Sequence, residues 1–172
     1  LEKYGFELKA YSLVYKNKSV NDVLIKVLGR TKRGIKVFAD LSVIAGFLMM
    51  GFAFYFLLNN VSNYFVAPDG FSELTVLIPG VTLTSAPAIT YFLLSIPIVL
   101  VMHEGAHGIV AALEKIKIKT GGFAIFIALF AGFVEPDEED FEKAKKISKL
   151  RVIGAGATSN VLFAIVLGAI ML

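Results

Sequence analysis

The chain has 172 residues, 56% of them hydrophobic, a formal net charge of +3 and no cysteine. Its mean hydropathy is +0.74. So apolar a balance excludes an ordinary soluble domain and points to one compact membrane module. The missing cysteines exclude disulfides and thiolate metal sites, so any metal must be held by His, Asp or Glu.

The chain begins with Leu1 and stops at Leu172 inside an apolar run, which reads as a piece of a longer protein. Residues 1–36 form a basic segment. From Tyr4 to Tyr15 apolar and charged residues roughly alternate, which predicts a short strand or hairpin. Ser19-x-x-Asp22 has the spacing of a capping box and predicts an amphipathic helix through Val23, Leu24, Val27 and Leu28, stopped by Gly29. The cluster Arg30-Thr31-Lys32-Arg33-Gly34-Ile35-Lys36 then leads into the membrane core, residues 37–172. It is explained by topology and lipid-headgroup contact.

Three spans are expected, over 37–58, 91–113 and 152–172, each long enough for a hydrocarbon core of about 30 Å. The first carries a single charge, Asp40, near its start. Residues 59–88 read as a loop without Lys or Arg, against nine in residues 1–36 and eight in 114–151. That bias places the N-terminus and the 114–151 segment in the cytoplasm and the loop outside.

The second span carries His103-Glu104-Gly105-Ala106-His107. Four residues are slightly more than one helical turn, so both imidazoles share a face and can hold one metal ion. Glu104 projects about 100° from His103, where it can act as general base on a metal-held water. A carboxylate and two imidazoles cost about 2–3 kcal/mol or more each at membrane depth if unused. The pair lies roughly 9–15 Å above the cytoplasmic end of the helix.

Downstream, Lys115-Ile116-Lys117-Ile118-Lys119 alternates like an edge strand and Thr120-Gly121-Gly122 reads as a turn. Phe123 to Val134 is apolar, too short to span as a helix, and rich in Ile, Phe and Val. A re-entrant hairpin over about 115–134 follows, with a free edge for an unwound substrate. The acidic run from Glu135 to Asp140 reads as a solvated turn and helix start. The stretch from Lys143 to Arg151 reads as an interfacial helix. Gly154-Ala155-Gly156-Ala157 reads as a close-packing face. Asn160 either bonds a neighbouring helix or lines the site. The expected fold is thus membrane all-α: three transmembrane helices with a short re-entrant β-hairpin on the cytoplasmic side.

This order of features resembles the site-2 protease family of intramembrane zinc metalloproteases. The resemblance rests on His103-Glu104-Gly105-Ala106-His107-Gly108, then Gly121-Gly122-Phe123-Ala124-Ile125-Phe126, then Ala131-Gly132-Phe133-Val134-Glu135. It continues in a span opening Leu150-Arg151-Val152 and running on as Ala155-Gly156-Ala157-Thr158-Ser159-Asn160. It covers about residues 80–170. It implies Zn2+ on His103 and His107, Glu104 as the catalytic base, and hydrolysis of a peptide bond in or near a membrane segment of a protein substrate. The family's third zinc ligand is an Asp in an Asp-Gly motif on a later span, expected beyond Leu172; Asp69-Gly70 precedes the zinc helix and is not that ligand. The implied partners are the lipid bilayer and a transmembrane protein substrate, with no nucleic acid. The alternative from another class is a transporter or ion-handling protein using the same His/Glu cluster as a relay, and a further one is a noncatalytic membrane partner that kept the motif.

Overall fold

The computed structural model describes residues 6–9, 12–17, 19–126 and 129–172. Two strands open the chain, β1 (Phe6–Lys9) and β2 (Ser12–Asn17), and pair antiparallel as the alternation predicts. Residues 4, 5, 10 and 11 of that predicted hairpin lie outside the described residues.

Helix α1 runs from Val20 to Val66. Ser19 is its N-cap, but the capping box is not made: its side chain forms no cap hydrogen bond. Its own N–H instead donates to Asn17 Oδ1 at 2.8 Å. Gly29 does not stop the amphipathic helix. The break comes two residues later at Thr31, whose backbone is non-helical (φ −132°, ψ 25°) and kinks α1. The kink divides the amphipathic turns from the apolar stretch Thr31–Val66. That stretch outruns the predicted span because Asn59 to Val66 continue the helix rather than opening the loop.

The connection holds one 3-10 turn, Pro68–Gly70, before α2 (Ala86–Leu113). Ser85 caps α2 by accepting the Ala88 N–H at 3.3 Å, satisfying one of the helix's orphan donors. At the other end Lys115 takes a left-handed backbone (φ 62°). The Ile116 N–H then reaches back to the Ala111 carbonyl at 2.9 Å and turns the chain into the sheet.

Strands β3 (Ile118–Phe126) and β4 (Leu129–Pro136) form the predicted hairpin. Two of its predicted features are corrected. The 115–119 stretch is not an edge strand: β3 begins at Ile118 and lies inside an antiparallel sheet of order β1-β2-β3-β4. Nor is Thr120-Gly121-Gly122 a turn. Gly122 sits mid-strand opposite Lys16, where a Cβ would come 1.8 Å from the Tyr15 carbonyl oxygen. The glycine is needed for close strand approach, and β3 and β4 stay paired as far as Phe126 and Leu129. The fold is therefore mostly helical with a four-stranded sheet, rather than all-α with a bare hairpin.

A short α3 (Glu138–Lys143) follows, capped by Asp137, which accepts the Asp140 N–H at 3.0 Å. That bond, with Lys119 3.4 Å away, holds the Asp137 carboxyl below its ordinary range. The predicted interfacial helix over 143–151 is absent, because Ala144 and Lys145 are extended. Instead α4 runs unbroken from Lys146 to Met171.

Helices α1, α2 and α4 are each long and apolar enough to cross a membrane. They meet through small side chains: Ala39, Ala106, Ala111 and Ala155 are buried in one core with Val110 and Val152. Small residues let helix backbones approach where apolar burial against lipid gains nothing. The outer faces stay bare: Leu48 is 70% exposed and Phe52 69% exposed, a surface suited to lipid or further helices.

One ion cluster ties the three helices together at the Leu113 end of α2. Arg151 Nη1 on α4 donates to Glu114 Oε1 at 2.9 Å, and its Nη2 to Asp40 on α1. Ser148 donates to the other Glu114 oxygen. Ser42 Oγ shares its proton between the Ala39 carbonyl of α1 at 2.8 Å and the Arg151 carbonyl at 3.2 Å. Glu114 is only 12% exposed, whereas Asp40 is 49% exposed, so the Glu114 half of the cluster carries the larger effect. Replacing Arg151 with Met should destabilise the chain by about 2–4 kcal/mol, because it leaves a partly buried carboxylate unpaired. Asp40→Asn should cost less than about 1 kcal/mol. Unfolding titrations in mixed micelles measure both; equal costs would mean that Arg151 is held mainly by its exposed partner.

Candidate metal centre

The site is built where α4 crosses α2 antiparallel. On α2, His103 and His107 lie one turn apart, their ring centroids separated by 4.8 Å and their planes inclined at 75°. On α4, residues 148, 152, 156 and 160 repeat every four positions and form one stripe. Each member meets α2. Ser148 bonds Glu114. The Val152 carbonyl bonds His107 Nδ1 at 2.6 Å. Gly156 lies against both imidazoles. Asn160 approaches His103 Nδ1 at 3.0 Å.

The Val152 contact sets the His107 tautomer. A backbone carbonyl only accepts, so Nδ1 carries the proton and the Nε2 lone pair is left free. This is the arrangement in which metal-ligating histidines are held, one ring nitrogen donating to a carbonyl while the other faces the ion. Both Nε2 atoms converge on one place. A Cβ on Gly156 would lie 2.3 Å from His107 Nε2 and 2.6 Å from His103 Nε2. The missing side chain leaves a space that two ring nitrogens border.

Glu104 faces a different neighbour. Its Oε2 accepts the Val134 N–H of β4 at 3.1 Å. Val134 therefore turns its N–H to α2 rather than to β3. Beside it is a cleft of about 240 Å³ between α2 and the sheet, lined by Glu104, Val101, Tyr15, Gly122, Phe133 and Val134. One carboxylate oxygen is fixed by the strand, and the other can take a proton.

A metal ion fits this donor set in part. Two oriented imidazoles and a space over Gly156 suit zinc, which takes His nitrogens and in catalytic sites three protein ligands. Among the described residues no group of three His, Cys, Asp or Glu side chains comes together. Asp69 lies in the 3-10 turn past the far end of α1, about 40 Å along that helix from Asp40. It is not brought to the imidazoles.

The structure thus brings His103 and His107 together at the α2–α4 crossing and sets Asn160 beside His103, while Glu104, next to His103 in the chain, turns to Val134 of β4. The Val152 carbonyl and Gly156 were not legible as site groups. Gly156 reads in sequence as packing, and a backbone carbonyl leaves no trace in composition. The signal that could have found them is the four-residue repeat of Ser148, Val152, Gly156 and Asn160, matched to the spacing of the two histidines. Gly156→Ala should weaken zinc or cobalt binding by about 10-fold or more while leaving the helical circular dichroism unchanged, since even one methyl occupies the shared space. Cobalt absorption titrations read this directly; unchanged affinity would show that the imidazoles do not meet over Gly156.

The model of peptidase family M50 matches residues 91–172, a stretch that takes in α2 from Tyr91, the β3–β4 hairpin and all of α4. No solved structure matches the chain. Over residues 91–172, a little under half of its length, the chain is similar to peptidase family M50, the site-2 protease family, a family of membrane metalloproteases.

Proposed function

We propose that the chain is the part of a zinc-dependent intramembrane protease that holds His103, Glu104 and His107, and that it cuts a peptide bond in or near a transmembrane segment of a protein substrate. The observation that carries this reading is the convergence of both Nε2 atoms on the space above Gly156, with a carboxylate one residue along α2. In this reading His103 and His107 hold Zn2+, which supplies a Lewis acid that makes water acidic and polarises the scissile carbonyl.

The chain's own residues do the rest. Val152 holds His107 in the tautomer that keeps Nε2 free. Glu104, oriented by Val134, takes the proton of the attacking water on its free oxygen. It then returns that proton to the leaving amine, so one carboxylate serves as base and acid in turn. Water reaches Glu104 through the cleft beside the sheet, because hydrated or irregular structure at membrane depth must be lined by protein.

A substrate helix hides its carbonyls in intrahelical bonds and must unwind to be cut. Strand β4 is one of the two outer strands of the described sheet and passes beside Glu104, so an unwound segment pairing along it lies next to the base. The Lys and Arg bias places the N-terminus and residues 114–151 in the cytoplasm, which puts the site nearer the cytoplasmic face.

Replacing Glu104 with Gln keeps the size and the Val134 bond but removes the base. Cleavage of a membrane substrate by the full-length protein should fall by about 10²–10⁴-fold with zinc content unchanged. Cleavage at the parental rate would remove Glu104 from the chemistry, and zinc bound without cleavage by either form would favour a noncatalytic membrane protein.

A further inference from the structure

The hydrogen bonding of the two imidazoles is unequal. His107 Nδ1 has a carbonyl acceptor, so its tautomer is fixed. His103 Nδ1 faces the side-chain amide of Asn160 at 3.0 Å. An amide offers either an oxygen or an NH2 group in nearly the same outline, and which one faces the ring must be inferred from the network. The atom facing His103 is drawn as Nδ2, and the Asn160 Oδ1 is then buried with no partner.

Those two orientations have opposite consequences. With Nδ2 toward the ring, the amide donates to Nδ1, the ring proton moves to Nε2, and His103 presents an N–H to the space over Gly156. With Oδ1 toward the ring, the amide accepts from Nδ1–H and Nε2 is a free lone pair matching that of His107. Only the second gives two lone pairs at the place where both Nε2 atoms converge. The first orientation leaves Oδ1 buried and unpaired, and the imidazole pair decides between the two. Gly156 and Ser159 beside the amide on α4 are buried, and Ser159 Oγ shares its proton between the Gly156 carbonyl at 2.7 Å and the Met102 carbonyl of α2 at 3.0 Å.

We infer that Asn160 is the positioning residue for His103, its Oδ1 accepting the Nδ1–H so that the Nε2 lone pair faces the space shared with His107. The inference rests on the metal-site reading above. It gives the two imidazoles the same support from one stripe of α4, a carbonyl oxygen from Val152 for one and an amide oxygen from Asn160 for the other.

The test separates an acceptor from a donor and from packing. Asn160→Asp keeps an oxygen at the ring and cannot donate when ionised. Asn160→Leu keeps the volume and has neither group. Zinc affinity, read by competition with a chromophoric chelator on the full chain in detergent, should stay within about 3-fold for Asn160→Asp and fall about 10–100-fold for Asn160→Leu. Loss in both variants, or in neither, overturns the inference. The second readout needs neither metal nor variant. Nitrogen-15 shifts of His103 in the metal-free parent chain should show protonated Nδ1 and bare Nε2; the opposite tautomer overturns the inference even if Asn160→Leu fails to fold. Failure of the full-length protein to bind zinc counts against the protease reading, whereas the tautomer reports on Asn160 alone.

Discussion

An imidazole has two nitrogens to satisfy, and one left without a partner away from water costs free energy. His103 and His107 each take one partner from α4 and turn the other nitrogen to a common space. Everything else in the arrangement follows from where α4 lies against α2. A shift of α4 by one residue would move the Val152 carbonyl off His107 and put a side-chain-bearing residue, Ala155 or Ala157, where Gly156 now leaves room. The height of α4 is therefore the quantity the structure must control.

The Arg151 cluster controls it. Arg151 stands one residue before Val152, and its guanidinium reaches α2 through Glu114 and α1 through Asp40. Charges near the ends of three apolar helices thus meet at one level, where pairing them is worth more than leaving any one alone. From that anchor the α4 stripe runs by whole turns: Ser148 to Glu114, Val152 to His107, Gly156 to both rings, Asn160 to His103. Small residues complete the contact, with Ser42 and Ser159 hydroxyls bonding carbonyls of the neighbouring helix. The sheet adds the last constraint by fixing Glu104 through Val134.

Much of this was legible in the residues. Length and hydropathy are enough for three spans, and the His-Glu-x-x-His spacing is enough for two imidazoles on one face. Extended structure after α2 followed from Ile, Phe and Val in a run too short to span. What failed was local punctuation. Glycines at 121 and 122 signal a turn when read alone, yet Gly122 serves a close approach by Tyr15, a residue more than a hundred positions away. Gly29 signals a helix stop, yet the helix persists to a kink at Thr31. The Lys115–Lys119 alternation has the look of an edge strand, but which strand is an edge depends on β2, whose pairing with β3 no local pattern encodes. The site's second half was hidden for the same reason: Val152 contributes a backbone atom and Gly156 an absence, and neither has meaning until α4 is set against α2.

The central claim is that both imidazoles bind one ion through Nε2. Zinc-edge X-ray absorption on the metal-loaded full-length protein tests it most directly. The account predicts one zinc per chain with two imidazole nitrogens at about 2.0–2.1 Å. Bound zinc lacking imidazole scattering, or a spectrum with a single imidazole, would contradict it.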